Sequence, residues 1–224
     1  MVLRRAGAVL TVRDGHPVAV NFGSSAAELA VCVRTVGLVD RSDLRVLALE
    51  APPAQLSALM TRVAGATVSP GGLVFGAGAW WCGEASDRVI AVCDQRVAAR
   101  LAGGLRTIAA RHVSVRECSD ELTAIGLLGR NTPQVLSALG VYGASGDPRD
   151  ARPFSHGAVD GIPACWLLQS DRRALALLAP EQAGQAWLAI ERAGRAHGIS
   201  CVGQEAAARY ALMERLRPAT LPFV

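Results

Sequence analysis

Few side chains in this 224-residue chain are spaced to do chemistry together. His156 and Asp160 lie in a stretch rich in Gly, Pro and Asp, where an imidazole beside a carboxylate has the makings of a general base; an exposed loop histidine is the plainer alternative. Trp80 and Trp81 are adjacent, and on a strand successive side chains point to opposite faces. One indole would enter the core and the other would face solvent or a ligand. Asp94 closes an apolar run and precedes a helical one, the position of a helix N-cap. Glu214 stands on the last helix beside Arg215 and Arg217, which by residue type alone is a solvated face.

Other chemistries are excluded by what is missing. All 23 basic residues are arginine, so no lysine can form a Schiff base. Six cysteines, at 32, 82, 93, 118, 165 and 201, form no CxxC pair, and the four histidines are scattered, so no metal site is expected. The thiols read as small buried hydrophobes. The net charge of +4 is spread without a run of five basic residues, and Tyr and Phe are scarce, which argues against nucleic acid. The arginine pairs 172/173 and 192/195 read as solvated faces. No stretch reaches the ~18 apolar residues of a membrane span. Arg4-Arg5 precedes a short apolar stretch that Arg13 and Asp14 interrupt before any signal-like cleavage site. A soluble, cytoplasmic protein is the expectation.

The elements that must position these residues recur. Leu56-Ser57-Ala58-Leu59 returns as Leu136-Ser137-Ala138-Leu139, 80 residues on, and each copy follows a strand and a breaker-rich turn. The strands are Leu44 to Leu49 and Leu122 to Leu127; Pro52-Pro53 and Pro133 open the helices. Downstream, Arg88 to Cys93 precedes a helical 94–110, and Arg173 to Leu178 precedes a helical 180–196. Two tandem strand-helix halves, about 38–118 and 119–216, suggest an α+β body whose central cleft suits one ligand. A body of this size buries roughly 70–75% of its unfolded surface and needs no metal or disulfide to fold.

The remaining segments read as follows. Ala8 to Val12 and Val18 to Phe22 pair as edge strands around Asp14-Gly15. Ser25-Ala26-Ala27-Glu28 is a capping box opening a helix that runs to about Thr35 and stops at Gly37. Leu73 to Cys82 is one strand, Gly143 to Gly161 a long surface loop, and Ile199 to Val202 a short strand. Gly203 opens the last helix, which Pro218 and Pro222 end.

Three segments occur in one order across nearly the whole chain: Glu28 to Arg34 with Gly37-Leu38-Val39-Asp40-Arg41-Ser42; Leu122 to Leu136 with Gly129 and Pro133; and Gly203 to Glu214. They resemble the opening "E-H-x-A-V-R … G-L-F-D-L-S", the strand-turn-helix "A-x-L-x-L-x-G-P-x-A-x-x-L-L" and the helix "G-x-x-A-R-D-T-L-R-L-E" of the folate-binding domain of aminomethyltransferases, the glycine-cleavage T-protein family. The resemblance implies a single aminomethyltransferase-like domain over 1–224, with a central folate cavity and no C-terminal barrel, since the chain stops at Val224. It implies tetrahydrofolate as cofactor. Glu214 would grip the two donors of the pterin edge, if one extra residue is allowed after Gly203; otherwise Met213 takes that place. Asp94 stands where the family has an asparagine near the ligand, and Trp80 or Trp81 would stack on the pterin or aminobenzoyl ring.

Departures bear on function. The family's acid after the Gly-Gly turn has no counterpart after Gly71-Gly72, where Leu73-Val74-Phe75-Gly76 follows, so standard aminomethyl transfer is not expected and no catalytic residue is identified. The family's "R-T-G-Y-T-G-E" gives way to Cys165-Trp166-Leu167-Leu168-Gln169-Ser170. The chain thus resembles shortened family members such as the gamma subunit of heterotetrameric sarcosine oxidase. The leading expectation is a reduced-folate-binding protein of the aminomethyltransferase class, handling or transferring one-carbon units. The alternatives are a non-catalytic partner or scaffold subunit of an oxidase or other complex, with its folate cavity closed, and a repurposed enzyme with another substrate.

Overall fold

The computed structural model describes residues 7–13, 16–108, 113–143 and 147–216. The chain begins with a two-stranded ribbon, β1 (Val9–Arg13) and β2 (His16–Asn21), followed by α1 (Ser25–Arg34) and β3 (Val36–Asp40). Then come β4 (Arg45–Glu50), α2 (Pro53–Ala64), β5 (Leu73–Gly76), β6 (Ala79–Ala85), β7 (Arg88–Cys93), α3 (Gln95–Ile108) and β8 (Ser114–Glu117). After these run β9 (Thr123–Leu128), α4 (Thr132–Ala138), β10 (Phe154–Val159), β11 (Ile162–Ser170), β12 (Arg173–Leu178), α5 (Ala183–Gly194), β13 (Ile199–Cys201) and α6 (Gln204–Leu216). A five-stranded sheet has the order β5-β6-β7-β4-β8, and a six-stranded one β10-β11-β12-β9-β3-β13. Neighbours are antiparallel except β13 and β3. Among the described residues neither sheet closes into a barrel.

The alternation of each strand divides the interior into layers. In β4, Leu47 and Leu49 pack with Leu56, Leu59 and Met60 of α2, while Val46 and Ala48 point the other way, toward Leu167, Leu175 and Leu177 of the second sheet. In β12, Ala174, Ala176 and Leu178 face Trp187 and Ile190 of α5, and Leu175 and Leu177 face the first sheet. The two sheets therefore meet face to face, with helices outside. A third packing unit lies beside them: α1 and α6 cover the part of the six-stranded sheet near Val39 and Leu128, through Cys32, Val202, Ala206 and Tyr210.

Several local expectations change. The apolar stretch 73–82 is a hairpin and not one strand, because Ala77 (φ 52°) and Gly78 (φ 84°) both adopt the left-handed region that a tight two-residue turn requires. The stretch 143–161 carries β10, which turns at Asp160 (φ 50°) and Gly161 (φ 82°) into β11; residues 144–146 lie outside the described set. α1 ends at Arg34, capped by Thr35, within a residue of its expected end, while Gly37 lies inside β3, where a Cβ would come within 2.7 Å of Val202. The cap of α1 is Ser24, whose Oγ accepts from the Ala27 N–H at 3.4 Å. The Asp14-Gly15 turn, residues 109–110, Arg217 and the closing prolines Pro218 and Pro222 also fall outside the described residues.

Candidate functional site

A cavity of about 320 Å3 opens where the two covers of the six-stranded sheet meet, the first sheet on one side and α6 on the other. That is the size range of small-molecule sites. The β5–β6 hairpin supplies Phe75 and Trp80, opposed in register, with ring centroids 4.9 Å apart and planes tilted by 52°. Phe75 is 53% exposed, so the pair forms an aromatic lip. The end of β7 brings Cys93 and Asp94 to the wall, and α6 lays down Gln204, Ala207, Ala208 and Ala211, whose small side chains leave the space open.

The two indoles part as strand alternation requires. Trp81 is fully buried against α2 and α3, and its indole N–H donates to the Gly76 carbonyl at 2.9 Å. Trp80 points into the space between the sheets and lines the cavity. Asp94 lines it too, while its Oδ1 accepts from the Val97 N–H at 2.9 Å and caps α3. Glu214 is not brought to this cavity. It lines a separate groove with Arg130, Arg172 and Tyr210, and its carboxylate lies 3.9 Å from the Arg172 guanidinium. The reason is helical phase. The cavity stripe of α6 runs through 204, 208, 211 and 215, and Glu214 sits roughly 90° round the axis from its centre at 3.6 residues per turn.

His156 and Asp160 do not meet either. Asp160 pairs with Arg192 at 2.8 Å. The His156 Nδ1 lies 3.3 Å from the Cys165 thiol across the β10–β11 pair, and its Nε2 lies 3.6 Å from Glu84 of the other sheet. Burial, and then the charge of Glu84, push the Cys165 thiol up to about 11, so this row holds a neutral thiol at physiological pH. Asp40 fixes a turn: its two carboxylate oxygens accept from the Ser42 N–H and hydroxyl at 3.0 and 3.1 Å.

The wall also carries polar side chains that were not singled out from the sequence, beside the apolar Leu44, Val92, Leu128 and Leu175. Arg41 is held by Asp43 in a two-pronged pair, Nε to Oδ1 at 3.0 Å and Nη2 to Oδ2 at 3.2 Å. Gln169 occupies a bulge, where the register of β11 against β12 shifts between Leu168 and Ser170, and its residue lines the cavity. Arg173 opens β12 on the same side as Leu175 and therefore faces the cavity, not solvent. Burial foremost, then the like charges of Arg41 and Arg215, lower the Arg173 pKa, against the attraction of Glu214 and Tyr210. The alternation of Arg173-Ala174-Leu175-Ala176-Leu177-Leu178 was the signal that could have placed Arg173 inward.

Among the described residues no group of three or more His, Cys, Asp or Glu side chains is arranged to hold a metal ion. No helix among them is long and apolar enough to cross a membrane.

No protein-family model matches the sequence, and no curated protein matches it. Solved structures do match in fold. The glycine cleavage system aminomethyltransferase T from Bartonella henselae superposes with a TM-score of 0.76 over 97% of this chain, at 16% identity. A chain of the heterotetrameric sarcosine oxidase from Corynebacterium sp. U-96, solved in complex with pyrrole 2-carboxylate, superposes with a TM-score of 0.60 at 16% identity, over 79% of this chain and 93% of that one. The protein spans 62% of the length of the Bartonella chain. At this identity the likeness is one of fold: a mixed α/β body similar to aminomethyltransferase, the similarity that the three sequence segments pointed to.

Proposed function

We propose that the protein binds a reduced folate, of the tetrahydrofolate type, in the cavity between the β5–β6 hairpin and α6, and handles its one-carbon unit as a member of the aminomethyltransferase class. The observation that carries this reading is the aromatic lip of Trp80 and Phe75 over an open cavity, in a body with the fold of an aminomethyltransferase. A flat ring gains both burial and face or edge contact there. Asp94 is the carboxylate we assign to the ring's N–H groups. We read the body as two tandem strand-helix halves, because β4-α2-β5-β6-β7-α3-β8 and β9-α4-β10-β11-β12-α5-β13 repeat one order of elements. The strand order β5-β6-β7-β4 likewise matches β10-β11-β12-β9.

The stretch after Gly72 contributes Phe75 to the wall and no acid, so we assign binding and presentation of the one-carbon carrier, with no catalytic group named. Soaking crystals with tetrahydrofolate tests the reading. Density for a ring against Trp80 is expected; an empty cavity, or a ring seated elsewhere, contradicts it.

A second reading, a partner subunit of a larger assembly, is favoured by exposed apolar side chains on one end of α6. Leu212, Met213 and Leu216 are 57%, 44% and 76% exposed, and Val33 of α1 beside them is 44% exposed. Such a row is a common mark of an interface. Folate binding and assembly are compatible, since this row and the cavity stripe lie on different faces of the helix.

A further inference from the structure

We propose that the inner wall of the cavity is an anion subsite, in which Arg173 of β12 and Arg215 of α6 take the oxygens of a carboxylate or phosphoryl group carried by the ligand. The inference rests on this cavity being the ligand site, but not on folate being the ligand.

Three arginines, Arg41, Arg173 and Arg215, line this one cavity, Arg173 partly buried and Arg215 exposed at its edge. Their partners differ. Arg41 is satisfied by both oxygens of Asp43. Arg173 has its Nε buried and without a hydrogen-bond partner, and Arg215 has no ion pair among the described residues. The two acids on the wall form no ion pair with Arg173 or Arg215: Asp43 holds Arg41, and Asp94 caps α3 through Oδ1, which leaves its other oxygen for the ring. A buried donor left unmade is costly, and the like charges of Arg41 and Arg215 add to that cost against the attraction of Glu214. Both costs vanish when an oxyanion enters, because the guanidinium fork matches two oxygens of one carboxylate or phosphoryl group. The geometry then divides the ligand's parts: a planar ring at Trp80 and Phe75, and an anionic group toward β12.

The test is a set of titrations of the full chain and of Arg173→Gln and Arg215→Gln, read by thermal shift and calorimetry. The probes are tetrahydrofolate, 6-methyltetrahydropterin (the ring without an anion), p-aminobenzoylglutamate (the anion without the pterin) and inorganic phosphate. The expected result is a loss of about ten- to hundredfold in affinity for the carboxylate or phosphate probes in Arg173→Gln, with the neutral pterin unchanged. Without ligand, Arg173→Gln should melt no lower than the wild type, because relief of like charge offsets the lost side chain; this separates an anion receptor from a structural strut. Tightest response to p-aminobenzoylglutamate assigns a carboxylate, and to phosphate a phosphoryl group. Stabilisation by phosphate in the wild type alone, with no response to tetrahydrofolate, keeps the anion subsite and removes the folate reading. Equal weakening of neutral and charged probes, or no anion response in the wild type, overturns the proposal.

Discussion

The carboxylate of Glu28 accepts a 2.7 Å hydrogen bond from the backbone N–H of Gly203, 175 residues further along the chain. Its other oxygen accepts from the Phe22 N–H at 2.7 Å. Glu28 is buried, at 6% exposure, so one side chain of α1 ties the end of the ribbon to the start of α6, the helix that forms one wall of the cavity.

Removing that tie strands two backbone donors, one of them buried. Glu28→Ala should cost about 2–4 kcal/mol in denaturant unfolding, and Glu28→Gln less, because the amide oxygen still accepts one bond. A loss well under 1 kcal/mol in the alanine variant would contradict this role for Glu28.

Two glycines, one just before α6 and one within α3, should respond with opposite sign. At Gly203 a Cβ would lie 2.1 Å from the Val20 carbonyl oxygen, so Gly203→Ala should destabilise by about 1–3 kcal/mol or more. At Gly104, within α3, nothing lies within 4 Å, and Gly104→Ala should stabilise by about 0.5–1 kcal/mol. Melting temperatures of the two variants check the contrast.

The adjacent tryptophans should separate stability from binding. Trp81→Ala empties a fully buried site and breaks the bond to Gly76, so a loss of about 3–5 kcal/mol is expected. Trp80→Ala, at a partly buried position on the cavity wall, should unfold at a denaturant midpoint nearer the wild type than Trp81→Ala does.

Alkaline pH should weaken the fold. Burial pushes Cys32 and Cys93 up to about 12 from an ordinary 9.0, and Cys82 well above it. The unfolded chain releases these protons near the ordinary value while the folded chain keeps them. Their contribution is therefore full below about pH 9 and is lost as pH rises toward about 12. Denaturation midpoints should fall across that window, and less steeply in Cys32→Ala; a flat profile would contradict the assignment.

Much of the architecture was legible because it is written in period two and in prolines. The strands at 45–50, 88–93, 123–128 and 173–178 lie within a residue of their expected places, since continuous apolar runs between turn residues leave little choice. The hairpins were missed where the turn signal was short: Ala77-Gly78 carries only one glycine, and Asp160-Gly161 sits inside a polar stretch that reads as loop. Those misses hid the site. Without β11, Gln169 had no reason to face inward, and Arg173, paired in sequence with Arg172, read as surface although the alternation of its own strand turns it inward. Trp80 and Asp94 were nameable because strand alternation and strand ends are local features. Glu214 was placed by analogy of motif, and a shift of one residue on a helix swings a side chain by about 100°, which is enough to move it to another groove.

Whether the cavity beside Trp80 holds a reduced folate is decided by the dissociation constant of tetrahydrofolate, measured by calorimetry for the wild type, Trp80→Ala and Glu214→Ala. Saturable one-site binding is expected, weakened at least about tenfold in Trp80→Ala by the loss of a stacked ring face and little changed in Glu214→Ala. Absence of binding in the wild type, or affinity that survives Trp80→Ala and disappears in Glu214→Ala, would contradict it.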